Sequence, residues 1–344
     1  MTDHPLVLAG AYGSPYTLKM RAVLRYRHIP FRWVLRESKW DDLPKAPVPI
    51  IPVIVYPNPD GSHGEATVDS SPQIMRLEGE FEGRSIVPTD PALAFIDALL
   101  EDFGDEWLTK AMYHYRWAYD DDIDKAGHLL PTSRNLNMDS DTAQAMYEFI
   151  TQRQIGRREL VGSTDLNAPI IEGSYERLLD ALQVHLGERN FFFGDRPGRA
   201  DFALFGQLMP LLWWDPTPMA VAVERAPRAI MWNQWMDDLA WWKVEGDEGW
   251  TTVEDVAATT RAVLTEAGRT YAPFMVANAA AVADDLDEVV CDLEGGEYRQ
   301  APFKYQAKCL SWIHDEYRAL TDTDRRRVDV ALDGTGCEVL VAGA

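Results

Sequence analysis

The sequence predicts an α/β unit over its first 85 residues followed by an all-helical remainder. Three observations carry this prediction. Short apolar runs alternate with helical patterns up to about residue 85. From Pro91 the apolar spacing is helical throughout. A Gly/Glu/Asp-rich stretch, Val244 to Gly249, then sets a last helical part apart. A chain of 344 residues that is 46% hydrophobic, with 12 Phe, 12 Trp and 13 Tyr, can bury more than one core and is not a disordered polymer.

The elements follow in order. Leu6 to Ala9 is an apolar run closed by the turn-like Gly10-Ala11-Tyr12-Gly13. Ser14-Pro15 reads as an N-cap with proline in the first helical position. Tyr16, Met20, Val23 and Leu24 keep helical spacing until Ile29-Pro30 ends it. Phe31 to Leu35 and the β-branched Ile50 to Tyr56 predict two further strands. The turn residues Pro57 to Gly61 return the chain as a hairpin through Glu65 to Val68. Asp69-Ser70-Ser71-Pro72 opens another helix. Helices are then expected over Leu93–Leu108, Thr109–Asp121, Ala143–Arg158, Ile171–Leu186 and Asp201–Leu212, with a polar loop from Gly127 to Asp141. Beyond Trp250, helices are expected over Thr251–Glu266, Tyr271–Ala283 and Phe303–Leu320. The acidic run between the last two, Asp284 to Glu297, reads as a solvated face or loop.

Composition excludes several functions. Against 33 Lys+Arg stand 55 Asp+Glu, and a net charge of −22 disfavours nucleic acid or an anionic membrane as partner. The cysteines, Cys291, Cys309 and Cys337, are odd in number and lack Cys-x-x-Cys spacing, which fits a reducing, cytoplasmic compartment. Met1 to Gly10 has no basic start and only a short apolar run, so no signal peptide is expected, and no apolar stretch is long enough for a membrane span. There is no phosphate-loop motif and no Gly-x-Ser-x-Gly elbow. The seven histidines lack His-x-x-x-His spacing, so no metal is expected. One window departs from the acidic average. Residues 11–45 hold Lys19, Arg21, Arg25, Arg27, Arg32, Arg36, Lys39 and Lys45 against Glu37, Asp41 and Asp42. This surplus, beside a helix N-terminus at Ser14, suits a small anion.

Three motifs occur in a fixed order: Ser14-Pro15-Tyr16-Thr17 at a strand-to-helix turn, Ile51-Pro52-Val53 before the hairpin, and Asp69-Ser70 at a helix start. With an all-helical segment behind them, residues 5–245 resemble the glutathione transferase superfamily. The resemblance implies a thioredoxin-like N-terminal domain (1–88), an all-helical domain that binds the electrophile (92–248), and a helical C-terminal extension (249–344) without counterpart in ordinary transferases. It also implies glutathione as cosubstrate, a small hydrophobic electrophile as second substrate, and a homodimer.

Residue by residue, Ser14 stands where the serine and cysteine classes carry the group that faces the glutathione sulfur. Taken alone it reads as an ordinary N-cap. The thiol of free cysteine has a pKa of about 8.5, and each unit of lowering requires about 1.4 kcal/mol of preference for the thiolate. A donated O–H and a positive helix end can supply that preference. Pro52 matches the family's cis-proline, leaving the main chain of Ile51 to pair with the cysteinyl part as an added strand would. Asp69 and Ser70 match the pair that takes the γ-glutamyl ammonium and carboxylate. Lys39 or Lys45 is a candidate for the glycine carboxylate, though no motif fixes either. Tyr12 lies beside the sulfur position. In the aromatic stretch 105–117, Trp107, Tyr113, His114 and Trp117 are candidates for the electrophile pocket, although such a stripe at helical spacing equally suits a core.

Phe193 to Phe202 resembles the family's folding motif, with Asp201 kept and Gly198 in place of the capping Ser or Thr. Cys309, near Lys304 and Lys308, is either a reactive thiol or a buried inert one. The function expected is transfer of glutathione to an electrophile. One alternative is glutathione-dependent lyase or reductive dehalogenase chemistry, which in this family often uses Cys at the position of Ser14. The other is a ligand-binding protein without turnover.

Overall fold

The computed structural model describes residues 4–344, so Met1–Asp3, part of the stretch read as lacking a signal peptide, lie outside it. The N-terminal unit runs β1 (Leu6–Gly10), α1 (Pro15–Tyr26), β2 (Phe31–Leu35), β3 (Val53–Pro57), β4 (His63–Val68) and α2 (Ser70–Glu80). Its sheet has the order β2-β1-β3-β4, with β1 parallel to β2 and antiparallel to β3, and β3 antiparallel to β4. Every residue of β1 is buried, as a central strand covered on both faces requires. Leu8 pairs with Ile54 in register. This is the thioredoxin-like arrangement the resemblance implied. Ser14 caps α1 by accepting the Thr17 N–H at 3.3 Å, and Pro15 follows it at the first position.

Helices follow: α3 (Pro91–Phe103), a π-helical turn (Gly104–Leu108), α4 (Thr109–Ala118), α5 (Asp120–Thr132), α6 (Ser140–Ile155), α7 (Ala168–His185) and α8 (Arg199–Met209), a second π-helical turn (Pro210–Trp214), α9 (Pro216–Arg225) and α10 (Pro227–Asp237). The polar segment from Gly127 is not wholly a loop. Its first residues complete α5, which opens on Asp120, Asp121 and Asp122 at the positive helix end and buries Ala126, Gly127 and Pro131 as it packs on α6. Helix α8 packs against α1 and so joins the two parts of the molecule.

The C-terminal part holds α11 (Ala258–Arg269), α12 (Tyr271–Ala283), β5 (Val289–Leu293), β6 (Gly296–Gln300), α13 (Lys304–Ala319) and α14 (Asp322–Leu332). The expectation of a loop over the acidic run, and of helices alone here, is corrected by the β5–β6 hairpin. Val289, Leu293, Tyr298 and Gln300 turn inward, while Glu288, Asp292 and Glu297 stay outside. Arg299 offsets the outer charge by pairing with Glu288 at 2.8 Å and Glu297 at 2.7 Å. Gly295 (φ 111°) and Gly296 (φ 138°) make the reversal in backbone that other residues rarely adopt. Helices α13 and α14 both pack against α3.

The departure at Gly198 has a structural reason. A Cβ there would lie 2.5 Å from Oδ1 of Asp97, because Asp97 on α3 itself caps α8 by accepting the Arg199 and Ala200 N–H groups at 3.1 and 2.9 Å. Asp201, fully buried, accepts from the Gly198 N–H at 2.9 Å and the Phe192 N–H at 3.3 Å. Asp201→Ala strands two buried donors and is expected to cost about 2–4 kcal/mol. Urea unfolding of the purified variant measures it, and a loss within error of zero would show that these bonds do not hold the segment.

Candidate functional site

A cavity of about 1190 Å³ opens where the start of α1, the turn before β3, the start of α2, α4 and α13 meet. Ser14, Ile51, Pro52, Asp69, Ser70, Tyr113 and Trp117 all line it. Five other expected residues do not. Tyr12 is 41% exposed and packs on Trp33, and the Lys39 ammonium sits 4.7 Å over the Trp40 ring. Trp107 is buried in the core, its Nε1 donating to Ser174 at 2.8 Å, and His114 is held between Ser163 and Glu172. Lys45 is exposed and also lies off the cavity. The split within α4 is helical geometry. Thr109, Met112, Tyr113, Arg116 and Trp117 share one face, at spacings of three and four, and that face meets the cavity.

Ser14 is half-buried at the N-terminus of α1, a helix with no acidic residue in its first turn. Its oxygen accepts the Thr17 N–H, which leaves its own O–H free to donate. Next to it, the Gly13 carbonyl accepts from Nη1 of Arg116 at 2.8 Å, and the Arg116 guanidinium is held by the buried Asp215 at 3.0 Å. The wall at the serine is therefore positive through the helix terminus, while the Arg116 charge is balanced by Asp215 and the guanidinium serves to fix the Gly13 carbonyl. The Ile51–Pro52 bond is cis. Among the described residues no hydrogen bond uses the Ile51 N–H or C=O, so both are available to an extended ligand.

Asp69 precedes α2 in the left-handed region, at φ 77°, and its Oδ2 accepts from the Tyr305 hydroxyl at 2.9 Å. Ser70 is buried, with Nζ of Lys19 3.5 Å from its Oγ. Lys19 is fully buried and bonded to Glu101 at 2.7 Å and Asp105 at 2.6 Å. Burial opposes its charge, but the two carboxylates outweigh burial and raise its pKa above the ordinary lysine value. Glu101 also accepts from Ser71 Oγ at 3.0 Å. Sequence reasoning missed Lys19, Glu101 and Arg116 as parts of the site. The available signal was Lys19 itself, a charge on the apolar face of α1 beside Leu18, Ala22 and Val23.

Farther in, Asp102, Glu106 and Cys309 each bring a ligand atom within 4.8 Å of the others. Burial pushes the Asp102 carboxyl up to about 7, despite the Tyr271 hydroxyl that donates to it, and raises Glu106 well above the usual carboxylate range. The Cys309 thiol is likewise pushed up by burial and nearby acids, so it is the inert cysteine rather than a reactive thiolate.

Two segments of the chain match family models. Residues 8–85 match the family model of the glutathione S-transferase N-terminal domain, and residues 175–230 that of the C-terminal domain. No curated protein matches the chain. Among solved structures, the β-etherase LigF from Sphingobium sp. strain SYK-6 is 16% identical, with 67% of this chain and 94% of that one covered and a TM-score of 0.47. A glutathione transferase from Burkholderia graminis, with two glutathione molecules bound per subunit, is 18% identical over 69% and 85% of the two chains at TM-score 0.42. A Tau class glutathione S-transferase from mango is 19% identical over 67% and 88% at TM-score 0.39.

The Asp102 carboxyl yields a pH prediction. Burial pushes it from the ordinary aspartate value of 3.8 up to about 7, so the folded state holds a proton that the unfolded chain releases. The stability this contributes is complete below the unfolded value and is lost as pH rises through about 7. The melting temperature of the wild type is expected to fall relative to Asp102→Asn between pH 5 and pH 8. Parallel pH profiles for the two proteins would contradict the assignment.

Proposed function

We propose that this chain, which belongs to the glutathione S-transferase superfamily, binds glutathione along the β3 side of the cavity and transfers its sulfur to a small electrophile held against α4. The observation that supports this best is the convergence on one cavity of a free serine O–H at a helix N-terminus, an unpaired main-chain edge at Ile51, and the Asp69–Ser70 helix start. The three suit the sulfur, the cysteinyl main chain and the γ-glutamyl end of one tripeptide, in that order along it.

In this reading Ser14 donates its O–H to the sulfur, the α1 terminus adds positive potential, and Arg116, paired with Asp215, holds the Gly13 carbonyl in place beside it. Ile51 offers one donor and one acceptor, which fixes the cysteinyl segment as an added strand. Tyr113, Trp117 and Met112 form the apolar wall that receives the electrophile. The sulfur forms the new bond to the electrophilic carbon. The displaced electron pair leaves with the leaving group or moves to the neighbouring atom, and the thiol proton is released to water on binding. Holding both reactants in one cavity makes their encounter intramolecular.

The test is spectroscopic and kinetic. Glutathione added near pH 7 is expected to give the ultraviolet absorbance of a thiolate, and Ser14→Ala is expected to lose it. Turnover of an activated aromatic halide by the variant should drop about a hundredfold. Binding without thiolate in the wild type, and no turnover across a panel of electrophiles, would instead support a ligand-binding protein. Equal activity of Ser14→Ala would remove the serine from the chemistry.

A further inference from the structure

Helix α13, which neither family match covers, reaches the opposite end of the chain. Tyr305 donates to Asp69 across 236 residues of sequence. Tyr305, Lys308 and Trp312 line the same cavity as Asp69 and Ser70. The tyrosine binds one carboxylate oxygen only, and the cavity still extends to both Asp69 and Ser70, so the hydroxyl borders the space rather than filling it. Lys308 lies 4.3 Å over the Trp312 ring; burial raises the Asp69 pKa above the usual aspartate value, and the Tyr305 hydroxyl and the Lys308 charge oppose that rise. Among the described residues Lys308 has no ion-pair partner, although acidic residues outnumber basic ones by 55 to 33 in the chain. A cation left unpaired at this wall, beside a carboxylate already oriented by a tyrosine, matches the two charges of an amino-acid end group: a carboxylate for the lysine and an ammonium for Asp69.

Resting on the glutathione reading above, we propose that α13 forms part of the γ-glutamyl subsite. Lys308 faces the α-carboxylate seated at Ser70, and Tyr305 fixes the Asp69 carboxylate that takes the α-ammonium. The subsite is then completed by the same chain. Ligand selection at this end depends on Tyr305 and Lys308, which lie more than 200 positions beyond the N-terminal family match that ends at residue 85, and a thiol lacking the γ-glutamyl group loses these contacts.

The experiment compares S-hexylglutathione with S-hexyl-cysteinylglycine by calorimetry, using full-length wild type, Tyr305→Phe, Lys308→Ala and Lys308→Glu. Thermal melts confirm that each variant is folded. Each variant is expected to bind S-hexylglutathione about tenfold more weakly than wild type, with Lys308→Glu the weakest. Affinity for S-hexyl-cysteinylglycine is expected to be the same in all four proteins. Unchanged or tighter binding of S-hexylglutathione by Tyr305→Phe and the Lys308 variants would overturn the proposal while leaving the glutathione reading intact. An equal loss for both ligands would also overturn it, since that is the mark of general packing. Wild type that binds neither ligand would overturn both.

Discussion

The site depends on one buried cation. Lys19 lies on the inward face of α1 and meets Glu101 of α3, Asp105 of the following π-helical turn and Ser70 at the start of α2. An ammonium is tolerated in such a place only when carboxylates surround it, and removing one partner of a buried pair typically costs about 3–5 kcal/mol. What the clasp provides is register more than net stability. It sets the helix that begins at Ser14, the helix that begins at Ser70 and the helical wall opposite at fixed distances from one another. The Tyr16 hydroxyl adds a second tie by donating to the Asp105 carbonyl at 2.8 Å.

The clasp also explains how so acidic a protein can present a site for an anion. The net charge of −22 describes the surface better than the cavity. Arg116, Arg199 and Lys308 line the cavity and Lys19 lies behind its wall; carboxylates pair with all but Lys308. Asp102 and Glu106 are pushed by burial toward their neutral forms, and Glu101, though buried, is kept ionised by Lys19 and Arg199. A developing thiolate at Ser14 therefore meets fewer full negative charges than the residue count suggests.

How much of this was legible follows from how local each signal is. Ser14-Pro15, Ile51-Pro52 and Asp69-Ser70 act through caps and turns, which a few consecutive residues specify, so these positions were readable and all border the cavity. The choice between faces of α4 was not readable. Tyr113 and Trp117 meet the cavity whereas Trp107 and His114 do not, and only tertiary packing decides which aromatic stripe faces inward. The β5–β6 hairpin was hidden because its alternation is carried by Val289, Leu293, Tyr298 and Gln300 among outward acids, a pattern that composition alone presents as a charged loop. Gly198 read as a weakened cap because its compensation, Asp97, lies a hundred residues away. The contact from Tyr305 to Asp69 has no local signal at all.

The central claim is spatial: one tripeptide spans from the Ser14 hydroxyl to the Asp69–Ser70 helix start. A crystal structure of the protein grown with saturating glutathione tests it most directly. The account predicts the sulfur within hydrogen-bond distance of Ser14 Oγ and the cysteinyl main chain paired with Ile51. A glutathione bound elsewhere, or a cavity empty of it at saturation, would contradict the account.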